Sequence, residues 1–151
     1  MGEPGFEGIH HVKLPVSDLQ RSREWYERVL GFVAEMEFPD EDGVVRGLSG
    51  RLPGLGRTGF ALRENPEKAR GISGYDPVSF GIADQAAAEA WAAKFDELGV
   101  KRTPVIEATI GWIISTFDPD GTELRFYSWA GPEKDHVGED GYPRHVRPVS
   151  S

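Results

Sequence analysis

The chain contains no cysteine, which removes disulfides, thiolate nucleophiles and thiolate metal sites together and fits a cytoplasmic address. Long apolar runs are missing too. None approaches the roughly 18 residues needed to span a bilayer, and Met1 to Glu7 is short, polar and acidic, so neither a membrane segment nor a signal peptide is expected. Nor is there a basic cluster. With 17 Lys and Arg against 25 Asp and Glu, the formal net charge is −8, and nucleic-acid phosphates would be repelled. A Gly-rich phosphate cradle is absent, and Gly71-Ile72-Ser73-Gly74 lacks the following helical pattern that a nucleophile elbow requires. These exclusions leave a small organic ligand or a protein partner. The 38% hydrophobic and 11% aromatic content of the 151 residues is enough for a packed core and excludes a disordered chain.

What the chain does contain is a repeat. Val16-Ser17-Asp18-Leu19, a helical stretch and Leu30-Gly31-Phe32 are echoed by Ile82-Ala83-Asp84, a helical stretch and Leu98-Gly99-Val100. Two copies of one supersecondary unit follow, each too small to bury its apolar face alone, with a ligand site expected between them.

In the first copy, Val12, Leu14 and Val16 alternate with His11, Lys13 and Pro15, which predicts a strand over 9–16. Ser17 is the expected N-cap, with Gln20 completing a capping box. Trp25, Tyr26, Val29 and Leu30 then share a helix face that Gly31 ends. Strands are expected at 32–38, 44–48 and 58–63. Residues 64–76 are polar and read as a linker or mobile loop. The second copy is expected as a strand over 78–82, Asp84 as N-cap, an Ala-rich helix carrying Trp91 and Phe95, and strands at 102–106, 112–117 and 122–127. Asp118-Pro119-Asp120-Gly121 joins the last two as a strong turn signal. Residues 130–151 form a Gly- and Pro-rich tail, expected to lie over the surface or a second subunit, and its His136 and His145 have no helical spacing.

The order of His10 through Leu19, Ser22-Arg23-Glu24-Trp25-Tyr26, Ala61 through Pro66 and Phe117 through Phe126, together with the repeat, resembles the vicinal oxygen chelate superfamily of glyoxalase I, bleomycin-resistance proteins and ring-cleaving dioxygenases. The resemblance covers about residues 8–129. It implies an α+β fold of two paired β-α-β-β-β modules, about 8–63 and 77–129, forming one domain with cup-shaped mixed sheets and a ligand inside the cup.

The resemblance also implies metal chemistry, and each ligand position can be checked. His11 matches the family's first ligand; its other reading is a pocket-lining histidine that hydrogen-bonds a ligand or a buried polar group. His10 is expected to face the helix side in a structural role. At the three remaining positions stand Pro77, Ala61 and Arg125, none of which ligates, and the arginine opposes a divalent ion by several kcal/mol at an intermediate dielectric. Glu123 or Glu64 could join His11 only through a register slip, and a one-residue slip would also turn Leu124 out of the core.

The expected ligand-binding set is therefore His11, Arg46, Arg63, Trp112, Arg125, Tyr127 and Trp129. The arginines either hold an anionic group of the ligand or pair with Glu64 and Glu123; the tryptophans either wall the pocket or belong to the core. The expected function is that of a small-molecule-binding protein of the bleomycin-resistance type, sequestering or carrying an organic ligand without a metal, with a resistance role. The alternative is a lyase, isomerase or dioxygenase using His11 with Fe, Mn, Ni or Zn. A third reading is metal-free catalysis with His11 as general base. A homodimer is expected, because half-cups leave apolar sheet edges.

Overall fold

The computed structural model describes residues 2–132 and Val149, so the tail histidines His136 and His145 lie outside the described residues. The order is β1 (His11–Val16), α1 (Leu19–Leu30), β2 (Val33–Pro39), β3 (Val45–Arg51), β4 (Gly59–Glu64), α2 (Pro66–Ile72), β5 (Val78–Ile82), α3 (Gln85–Leu98), β6 (Ile106–Glu107), β7 (Trp112–Phe117) and β8 (Glu123–Ser128). The strands form two four-stranded sheets, β1-β4-β3-β2 and β5-β8-β7-β6. In each, the strand before the long helix pairs in parallel with the last strand of the repeat. This is the expected α+β pattern of two β-α-β-β-β repeats. By contacts the chain divides into two compact units, one running to Pro77 and including Asp118–Glu123, the other holding Val78–Phe117 and the chain from Leu124. Among the described residues no helix is long and apolar enough to cross a membrane.

In the first unit, strand alternation sends Leu14 and Val16 of β1, Phe60 and Leu62 of β4 and Leu48 of β3 to one face, where all are buried. Helix α1 covers that face with Leu19, Tyr26, Val29 and Leu30. Tyr26 and Phe60 meet with ring centroids 5.4 Å apart. In the second unit, Phe80 and Phe126 play the same part, with Trp91 and Phe95 of α3 packed on Phe126 at 4.6 and 5.6 Å. Both long helices stop at the glycines the repeat marked. Gly31 and Gly99 adopt φ near +70°, which a side chain would resist, and their amides return to carbonyls of the last turn.

Three local expectations are corrected. The N-cap of α1 is Asp18, whose carboxylate accepts from Arg21 N at 3.0 Å. Ser17 instead gives both its amide and its hydroxyl to the carboxylate of Asp120. The stretch read as a linker carries α2: Asn65 caps it by accepting from Lys68 N, Pro66 takes the first position, and only Ala69 is buried. The strand expected at 102–106 shrinks to β6 at Ile106–Glu107, with one isolated bridge from Arg102 to Thr116.

Candidate functional site

The face of the first sheet turned away from α1 carries His11 and Lys13 of β1, Gly59, Ala61 and Arg63 of β4, Gly47 and Ser49 of β3, and Met36 and Phe38 of β2, as the register pairs them. Small residues at the centre and longer ones at both sides leave a concavity of about 510 Å³. That volume lies in the usual range for ligand pockets.

One side of this cavity is cationic. Arg63 reaches across its neighbouring strand until its guanidinium lies 3.2 Å from where a Cβ of Gly47 would stand. His10, expected on the helix side, in fact lines the cavity beside His11, with the two Nδ1 atoms 3.0 Å apart. One ring must donate and the other accept across that distance, leaving both Nε2 atoms for other partners. The other side carries Met36, 59% exposed, and Phe38, 44% exposed, with Glu35, which pairs with Arg51, beside them. Lys13, Met36, Phe38 and the glycines were missed by sequence reasoning. Their signal was the pairing register, which places β2 opposite β1 across the sheet.

Arg46 does not join them. It stands one residue out of step with Gly47, on the opposite face, where it donates to Asp40 Oδ2 at 3.0 Å and pairs with Glu64. Hydrogen bonding to Arg46, helped by the Val44 amide, holds the Asp40 carboxyl below its ordinary range. Glu64 also accepts from Leu19 N at the start of α1, so this cluster anchors a helix.

The second sheet places Arg125 and Tyr127 on the side away from its core, opposite Ser79 and Gly81 of β5. The indole of Trp129, 86% exposed, lies directly on the bare backbone of Gly81, and the Tyr127 ring covers Gly111. Together with Ile110 they border a concavity of about 290 Å³. Burial raises the Tyr127 phenol pKa, with the charge of Arg125 opposing. Trp112 has the strand parity of fully buried Ile114 and Thr116, so it is directed to the other face from Tyr127.

The divalent ion that the family resemblance implies does not fit this donor set. On the sheet that carries His11, the nearest cavity-facing positions of β4 are Gly59, Ala61 and Arg63, and Lys13 and Arg63 put positive charge where a cation would sit. Among the described residues no group of three or more His, Asp or Glu is placed to hold a metal.

A family model described as the Glyoxalase/Bleomycin resistance protein/Dioxygenase superfamily matches residues 8–126. The chain belongs to this superfamily. Comparison with curated proteins gives no match. Among solved structures, a glyoxalase/bleomycin resistance protein/dioxygenase domain from Frankia sp. EAN1pec is 27% identical, covering 87% of this chain and 97% of its own, with a TM-score of 0.65. TnmS3, an antibiotic-binding protein from Streptomyces sp. CB03234, shares 21% identity over 83% of this chain and 98% of its own, with a TM-score of 0.66. A lactoylglutathione lyase from Agrobacterium tumefaciens shares 17% over 83% of this chain and 96% of its own, with a TM-score of 0.64. At those identities the last two show the glyoxalase/bleomycin-resistance fold alone.

Proposed function

We propose that this superfamily member binds a small organic molecule and sequesters or carries it unchanged, without a metal. The observation that carries the reading is the 510 Å³ concavity of the first unit, which sets cationic side chains against exposed Met36 and Phe38 on a surface where no metal-ligand set stands among the described residues. His11 and Arg63 belong to the proposed binding set there. Arg125, Tyr127 and Trp129 form a separate proposed binding set on the second unit's own face. The antibiotic-binding activity of a relative with the same fold is consistent with such a role, including one in resistance. We further propose a homodimer, because β2 stands at one edge of its sheet with Val33 half exposed beside unpaired backbone.

Protein purified without chelator and equilibrated with zinc, nickel, manganese or iron(II) is expected to retain far less than one ion per chain. Any ligand it carries should be recovered chemically unchanged after prolonged incubation. Stoichiometric metal lost on His11→Ala, or conversion of the ligand, would replace this reading with a metal-dependent lyase, isomerase or dioxygenase, or with His11 acting as a base.

A further inference from the structure

Arg21, Arg23, Arg46, Arg51 and Arg102 are each held by a carboxylate of this chain. Among the described residues, Lys13 and Arg63 make no ion pair, and both line the first unit's cavity. Sheet spacing puts their Cα atoms about 8 Å apart, close enough for two long side chains to meet on one anion. Glu35 also lines the cavity, but its carboxylate is taken by Arg51 at 2.8 Å, and among the described residues no carboxylate makes an ion pair with Lys13 or Arg63. Both are open to an anionic group that enters the cavity.

The shape of the cavity limits what that is. Gly47 is the register partner of Phe38 on one side and Arg63 on the other, so cation, bare backbone and aromatic ring stand in a row across three strands. The guanidinium lies against the bare backbone of Gly47 while the residue stays exposed to solvent. A molecule on this row has a planar fork at one end, suited to both oxygens of a carboxylate. At the other end it has an aromatic edge, and below it a floor without side chains.

We propose that this cavity takes a flat, conjugated ring system bearing a carboxylate, with the acid on Lys13 and Arg63 and the ring against Phe38. The inference rests on the small-molecule reading above and names the ligand class for that same site. Its volume accommodates a two- or three-ring acid. Salt weakens the local attraction to Lys13 and Arg63, with screening over roughly 8 Å at physiological ionic strength, while the same screening relieves the repulsion between an anionic ligand and the acidic chain.

Titration calorimetry with three probes checks this: 2-naphthoate, its neutral amide 2-naphthamide, and the saturated decalin-2-carboxylate. The naphthoate is expected to bind at least tenfold more tightly than either of the others. Arg63→Ala and Lys13→Ala should each shrink its advantage over the amide, and Phe38→Ala its advantage over the saturated acid. Arg23→Ala, on the outside of α1, should change neither. An amide that binds as well as the acid, or an acid preference that survives loss of both cations, refutes the ligand class while leaving the small-molecule reading intact. Failure of all three probes to bind at millimolar concentration overturns both.

Discussion

Tyr26 donates its phenol proton to Asp118 Oδ2 at 2.8 Å, joining two buried side chains that are 92 residues apart in sequence. The other carboxylate oxygen of Asp118 accepts from the amides of Asp120 and Thr122. Helix α1 and the turn before β8 are thereby fixed within the first unit. Burial pushes the Asp118 pKa above its ordinary range, against the pull of these hydrogen bonds. Burial, reinforced by the charge of Asp118, raises the Tyr26 pKa well above the usual phenol value.

Tyr26→Phe should cost about 1.5–3 kcal/mol near neutral pH, the range for a hydrogen bond to a charged group. The sign of its pH dependence follows from linkage. A raised folded pKa means that the native state binds more protons than the unfolded chain, so Asp118's contribution is fully present below the unfolded pKa and falls as pH rises through the folded one. Removing the phenol raises that folded pKa further. The variant's deficit should therefore be larger at pH 7 than in acid, as urea titrations at the two pH values would reveal; an equal deficit at both would show that Asp118 is not ionised beside Tyr26.

Gly50→Ala should be among the most damaging single-methyl substitutions. A Cβ there would overlap the carbonyl of Val33 on the adjacent strand, a backbone atom that cannot turn aside. We expect a loss of about 3 kcal/mol or more, or a shift in the β2–β3 register, read by chemical denaturation. Gly47→Ala provides the contrast. Its new methyl meets the movable end of Arg63, so stability should change little while binding of an anionic probe weakens.

Arg46→Ala should leave ligand affinity where it was, because its guanidinium is committed to Asp40 and Glu64 on the opposite face of β3. Arg63→Ala, in the same titration, should weaken an anionic ligand about tenfold. Equal effects from the two variants would mean that long-range charge, not a positioned contact, attracts the ligand.

Light scattering across a dilution series should return twice the 16.7 kDa chain mass. A lysine introduced at Val33, on the β2 edge, should move the particle towards the monomer. A single-chain mass for the native protein at micromolar concentration would refute the dimer.

Much of the fold was legible because it rests on local signals. Gly31 and Gly99 stop their helices, Asp84 caps α3, and the strands at 78–82 and 112–117 have the boundaries that alternation predicts. Helix α2 was missed because its charged residues hide the pattern. The usable signal was Asn65-Pro66, a cap followed by the residue suited to the first helical position. Ser17 lost the cap to Asp18 for a tertiary reason: its hydrogen bonds go to Asp120, about a hundred residues away. The candidate site was half legible. Strand parity put His11 and Arg63 on one face, but which strands lie side by side decides that Met36 and Phe38 complete it, and pairing order is not written in any one segment.

The amide of Asn65 bonds the carbonyl of Val16, and the amide of Trp129 bonds the carbonyl of Ile82, each at 2.8 Å. The two repeats thus keep one frame to the level of single main-chain bonds, while the outward alternates on that frame have parted: Arg63 in one stands where Tyr127 stands in the other. Those alternates support no core, so drift at them is nearly free of folding cost. A duplicated scaffold of this kind lets one copy specialise in charge and the other in aromatic surface, and new ligand preferences can arise by substitutions that leave the fold's inheritance untouched.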